Sequence, residues 1–104
     1  MRRVFISHPY KDNPAENKKK VDKICKDLLS QGYLPISPLH LFSYIESETG
    51  IRDEIIRACT DLIMVADHFY SYGNSEGCRI EREIAEEIGM EIKIIGSVAN
   101  ASKT

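Results

Sequence analysis

One carboxylate stands out for its position. In the segment Asn74-Ser75-Glu76-Gly77-Cys78-Arg79-Ile80-Glu81, a helix opening at Ser75 puts Gly77, Cys78, Ile80, Ile84, Ala85 and Ile88 on one arc at about 100° per residue. Arg79, Arg82, Glu83, Glu86 and Glu87 fall on the opposite side, and Glu81 falls inside the apolar arc. Burying an unpaired carboxylate costs several kcal/mol, so such a residue needs a partner, a raised pKa or a site open to solvent. Two explanations stand side by side. Glu81 works in a site at the start of the helix, or it closes a buried salt bridge, for which Arg52 is the nearest candidate by pattern.

The elements that would position Glu81 follow from hydrophobic period and punctuation. Val4-Phe5-Ile6 reads as a buried strand ended by Ser7-His8-Pro9-Tyr10. Asn13, Pro14 and Glu16 supply an N-cap, a proline at the first helical position and a capping-box acid. Val21, Ile24, Cys25, Leu28 and Leu29 give that helix one apolar face, and Gly32 ends it near Gln31. Tyr33 to Ser37 is a short strand whose Pro35 favours a sheet edge. Leu39 to Tyr44 has no period and reads as an irregular connection. Ile51, Ile55, Ala58 and Cys59 mark a second helix ending near Thr60. The apolar run Leu62 to Ala66 predicts a central strand buried on both faces, and Asp67 to Asn74 a surface loop. Ser75 is a natural N-cap for the helix running to Gly89, and Ile92 to Ile95 predicts the last strand.

Strands alternating with helices through short links imply an α/β chain: a single-domain, flavodoxin-like or Rossmann-like three-layer sandwich with a parallel sheet of four to five strands. The 104 residues suffice for one core. The domain is predicted over 1–96, with a tail over 97–104. In such sheets ligands sit beyond the carboxyl ends of the strands, which places the loops at Ser7 to Tyr10, Pro38 to His40 and Asp67 to Ser75 on the functional edge. His8 and His40 are candidate ligand contacts there, against surface histidines. Asn17, one turn before Val21 on the apolar face, is an inward amide that either meets ligand or bonds to backbone.

Composition narrows the function classes. Fourteen basic and sixteen acidic side chains give a net charge of -2, so no nucleic-acid partner is expected. Lys18-Lys19-Lys20 reads as a solvated helix face. Cys25, Cys59 and Cys78 are odd in number and far apart, which suggests neither a disulfide framework nor a zinc site. No apolar run reaches the roughly 18 residues of a membrane span. A cytoplasmic protein with no membrane partner, no metal and no cofactor is the expectation.

The segment carrying Glu81 resembles the nucleoside 2-deoxyribosyltransferase superfamily, whose nucleophilic glutamate follows Ser-x-Gly-x-x-x-Glu, here Ser75, Gly77 and Glu81. The likeness extends through Cys59 to Val65 before the motif and through Ala85, Gly89 and Ile92 to Ile95 after it. Ser7, His8, Pro9 and Tyr10 are similar to the family's first loop, with Asn17 on the following helix. Asp53, eight residues before Asp61, matches the spacing of the sugar-contacting aspartate in small members that hydrolyse deoxynucleoside monophosphates. Its own helix, however, turns it away from Ile51 and Ile55.

The resemblance implies cleavage of an N-glycosidic bond in a nucleoside or nucleotide, or deoxyribosyl transfer. Glu81 would be the nucleophile, with Tyr10 and Asp53 as catalytic partners. Ser7, His8, Pro9, Asn17, His40, Ser75 and Gly77 would bind substrate. Tyr10 or Ser75 would supply the donor that keeps Glu81 ionised, and the N-H groups of Ser75 to Gly77 either take a 5'-phosphate or serve only the helix cap. A homodimer or higher homo-oligomer is implied by the same likeness. Two other classes remain. One is a nucleotide-binding or regulatory module without turnover. The other is a TIR-like NAD glycohydrolase, suggested by Val4-Phe5-Ile6-Ser7-His8 followed by Lys11-Asp12.

Overall fold

A computed structural model describes residues 1–95; the tail predicted at 97–104 lies outside them. Four parallel strands, β1 (Arg2–Ser7), β2 (Tyr33–Ile36), β3 (His68–Ser71) and β4 (Ile92–Ile94), form one sheet in the order β2-β1-β3-β4. Helices α1 (Pro14–Ser30), α2 (Pro38–Leu41), α3 (Arg52–Val65) and α4 (Glu76–Ile88) connect them. The expected α/β architecture with a four-stranded parallel sheet is the one observed. β2 lies at the edge, where Pro35 costs the sheet nothing it needs.

Side-chain alternation along the strands builds two cores. Val4 and Ile6 face one side and pack with Val21 and Leu28 of α1. Phe5, Ile36 and Phe69 face the other and pack with Ile63 of α3 and Ala85 of α4. Phe5 and Phe69 stack with ring centroids 5.3 Å apart, joining the two central strands by their side chains as well as their backbones. Gly32, at φ +90°, turns the chain out of α1 in a left-handed conformation that a Cβ would strain.

The third strand corrects the sequence expectation. Leu62 to Val65 continue α3, and the strand is the next segment, His68–Ser71, in the stretch expected to be a loop. The apolar run is amphipathic at helical period: Cys59 and Ile63 are buried, with Leu62 and Ala66 against the same core, whereas Met64 and Val65 are 62% and 49% exposed. A continuous run without a polar break cannot reveal this. His68 and Ser71 disguised a strand whose Phe69 and Ser71 are both buried. Within the connection expected to be irregular, Pro38–Leu41 forms one short helix turn, started by Pro38 behind Ser37, whose Oγ accepts the His40 N–H. Among the described residues no helix is long and apolar enough to cross a membrane.

Strand order reverses between β1 and β3, so the carboxyl ends of these two strands flank the switch point of the sheet. The Tyr72 N–H donates to the Ser7 carbonyl at 2.8 Å, holding the two exits side by side. The start of α4 follows directly.

Candidate active site

Ser75 starts α4 by accepting the Cys78 N–H on Oγ at 3.3 Å, as its residue type predicts. From that start the helix turns Cys78 and Ala85 into the protein, with Glu81 between them on the same face. The carboxyl reaches back to the end of β1, where Ser7 Oγ donates to Glu81 Oε1 at 2.7 Å. Ser7 itself is fully buried.

Burial dominates the electrostatics of Glu81. It pushes the pKa from 4.5 up to about 7, and the Ser7 hydroxyl acts the other way by bonding the ionised form. The salt-bridge explanation does not hold, because Arg52 pairs instead with Glu48 and Glu76. Cys59 feels the same surroundings. Its thiol is pushed up to about 12, first by burial and then by the negative charges of Glu81 and Glu48.

Glu81 opens onto a cleft of about 620 Å³, within the range of small-molecule sites. The β1–α1 loop contributes His8, Tyr10, Lys11 and Asp12; the segment around α2 contributes Pro38, Leu39, His40, Phe42 and Ile45. The start of α4 contributes Ser75, Glu76 and Gly77. The lining thus mixes apolar and aromatic side chains with the charged Lys11 and Asp12, and includes the start of a helix. Among the described residues no three His, Cys, Asp or Glu side chains gather as metal ligands would.

The structure therefore brings Ser7, His8, Tyr10, His40, Ser75, Gly77 and Glu81 of the predicted set to one place. The donor to Glu81 is Ser7, whereas Tyr10 is 46% exposed and the Ser75 hydroxyl serves the helix start. Three others stand apart from the cleft lining. Asp53 is exposed on α3. Asn17 is buried and donates to the Tyr10 carbonyl at 3.1 Å and to Asp12 Oδ1 at 2.7 Å, so it ties the β1–α1 loop. Pro9 packs against Gly73, where an added Cβ would lie 2.3 Å from the Pro9 Cγ.

Two residues outside the predicted set shape the site. Gly73 lets the two site loops touch. Arg82, on the side of α4 expected to be solvated, donates to the Gly73 carbonyl at 3.0 Å and to Asn74 Oδ1 at 2.5 Å, strapping the β3–α4 loop. A glycine inside a polar stretch is the available signal for the first; helix period points the wrong way for the second.

Solved structures share this fold. The 2-desoxiribosyltransferase from Leishmania mexicana superposes with a TM-score of 0.68 at 15% identity, over 91% of this chain and 64% of that one, so the chain spans less than two thirds of it. The CMP N-glycosidase of Clostridium botulinum gives 0.67 at 19% identity over 95% and 78%. The 2-deoxyribosyltransferase of Bacillus psychrosaccharolyticus gives 0.68 at 20% identity over 88% and 70%. No curated protein sequence matches. The fold is the one these three enzymes share. At the level of sequence family, the model of a domain of unknown function, DUF7768, matches residues 2–95, and the chain belongs to that family.

Proposed function

We propose that the protein cleaves the N-glycosidic bond of a nucleoside or nucleotide, with Glu81 as the nucleophile and water or a second base as acceptor. The observation that carries this is that Glu81 lines the cleft with its carboxyl held on Oε1 by Ser7. With Oε1 engaged, Oε2 is the oxygen left for C1' of the sugar. Attack forms a glycosyl ester and sends the bond's electron pair to the departing base. Water then reopens the ester to release sugar, or a second base takes the sugar over.

The surroundings suit the task. Burial makes the carboxylate more basic and hence a better nucleophile, while the Ser7 hydrogen bond keeps a share of it ionised near neutrality. Tyr10, Phe42 and Ile45 offer the base an apolar wall. The start of α4 offers N–H groups to a 5'-phosphate, and space is open around Gly77. The relatives of like fold named as deoxyribosyltransferases and a CMP N-glycosidase support the same reaction class. A homodimer belongs to the proposal and is tested by light scattering.

The test is a panel of deoxynucleosides, their 5'-monophosphates, ribonucleotides including CMP, and NAD, with free base followed by chromatography and Glu81→Gln run in parallel. Base release from a nucleoside or nucleotide, lost in Glu81→Gln, is expected. Release from NAD alone would favour the TIR-like alternative. Silence across the panel, with both proteins binding a nucleotide equally, would leave a binding module.

A further inference from the structure

His8 has a chemical state fixed by its surroundings. Its Nδ1 lies 2.7 Å from the Pro9 carbonyl, and a carbonyl can only accept, so Nδ1 carries the hydrogen and Nε2 the lone pair. The Tyr72 ring, 5.8 Å away between centroids, flanks the imidazole. Burial holds His8 below its usual 6.5, helped by the charge of Lys20 and opposed by the Pro9 hydrogen bond and Asp12. Lys11, Lys18, Glu48, Arg52, Glu76 and Glu81 are the other charged groups that line the same cleft. Burial thus favours the neutral ring, and His8 lines the cleft that holds Glu81.

Several other acid–base groups of the cleft are engaged in bonds of their own. His40 bonds through both nitrogens, Nδ1 to Ser37 Oγ at 2.7 Å and Nε2 to Asp22 Oδ1 at 2.5 Å. Asp12 accepts from Asn17. Glu48 sits between Lys11 and Arg52, and Glu76 pairs with Arg52.

We propose that His8 is the general base of the second half-reaction, taking through Nε2 the proton of the water that opens the glycosyl ester on Glu81. This rests on the function proposed above. The water oxygen bonds to C1' as the bond from C1' to Glu81 Oε2 breaks, and its electron pair restores the carboxylate. The proton passes to Nε2 and from there to solvent. The first half-reaction, in which base departs, does not use His8. General-base assistance of this kind contributes about 100-fold or more.

His8→Asn tests the assignment, because its amide N–H can replace Nδ1–H on the Pro9 carbonyl while supplying no base; His8→Ala is the second variant. Rapid-quench kinetics with CMP and with 2'-deoxyadenosine should show a burst of free base near one per site in both variants. Steady-state turnover should fall about 100-fold. Azide, a nucleophile that needs no deprotonation, should restore turnover in the His8 variants and leave Glu81→Gln inactive. If the wild type releases no base from either substrate or from any other member of the panel above, the glycosidase proposal and the role of His8 both fall. If it does, but His8→Asn and His8→Ala turn over as the wild type or lose the burst along with turnover, only the role of His8 is overturned.

Discussion

Replacing Glu81 by glutamine should stabilise the fold, and only above the pH at which the carboxyl ionises. An acid raised from 4.5 in the unfolded chain to about 7 in the folded one binds more protons when folded. Its contribution is then most favourable below 4.5, is lost as the pH rises through 7, and is a full penalty beyond. At 1.36 kcal/mol per tenfold change in proton affinity, ionising Glu81 costs the folded state about 3 kcal/mol at pH 8, trimmed to about 2–3 kcal/mol by water in the cleft. Glutamine keeps an oxygen for the Ser7 hydroxyl and carries no charge. Glu81→Gln should therefore be more stable by about 2–3 kcal/mol at pH 8, equal to roughly 10–20 °C in Tm for a domain of this size, and little different at pH 4.5. Urea unfolding followed by circular dichroism at both pH values measures this, since the chain has no tryptophan. A ΔΔG that is the same at the two pH values, or a less stable variant at pH 8, would refute the account of a carboxylate held in the fold at a cost to stability.

Other perturbations report on the site's construction. Ser7→Ala removes the donor that favours ionised Glu81, so the acid limb of the base-release profile should move to higher pH; an unmoved limb would contradict the contact. Gly73→Ala would drive a Cβ into the Pro9 ring, and urea unfolding should show a loss of about 1–3 kcal/mol, with no loss meaning that the loops do not meet. Cys59, its thiol pushed up to about 12, should resist iodoacetamide at pH 8 in the folded protein, as peptide mapping would show; ready alkylation would contradict its burial.

Local chemistry in the chain was enough to place Glu81. The wheel set it among Cys78 and Ala85, and Ser75 fixed where that wheel begins. Pro35 likewise marked its strand as an edge. Interactions between distant segments were not legible. Ser7 and Glu81 are 74 positions apart, and nothing near Ser7 distinguishes a hydroxyl aimed at α4 from one aimed at a ligand. Asn17 was correctly inward, but its partners prove to be the Tyr10 carbonyl and Asp12. The strand at His68–Ser71 was hidden because α3 runs apolar to its last turn, with Met64 and Val65 left exposed. Arg82 kept its helix-surface address, yet its guanidinium folds over to hold Gly73 and Asn74.

The most direct test of the central claim is to mix the protein with a substrate from the panel that it turns over, quench in acid within milliseconds, digest, and weigh the peptide that carries Glu81. The account predicts a mass increase of one pentosyl or deoxypentosyl group on Glu81 in the wild type and none in Glu81→Gln. A sugar adduct on another residue, or base release that persists in Glu81→Gln, would contradict it.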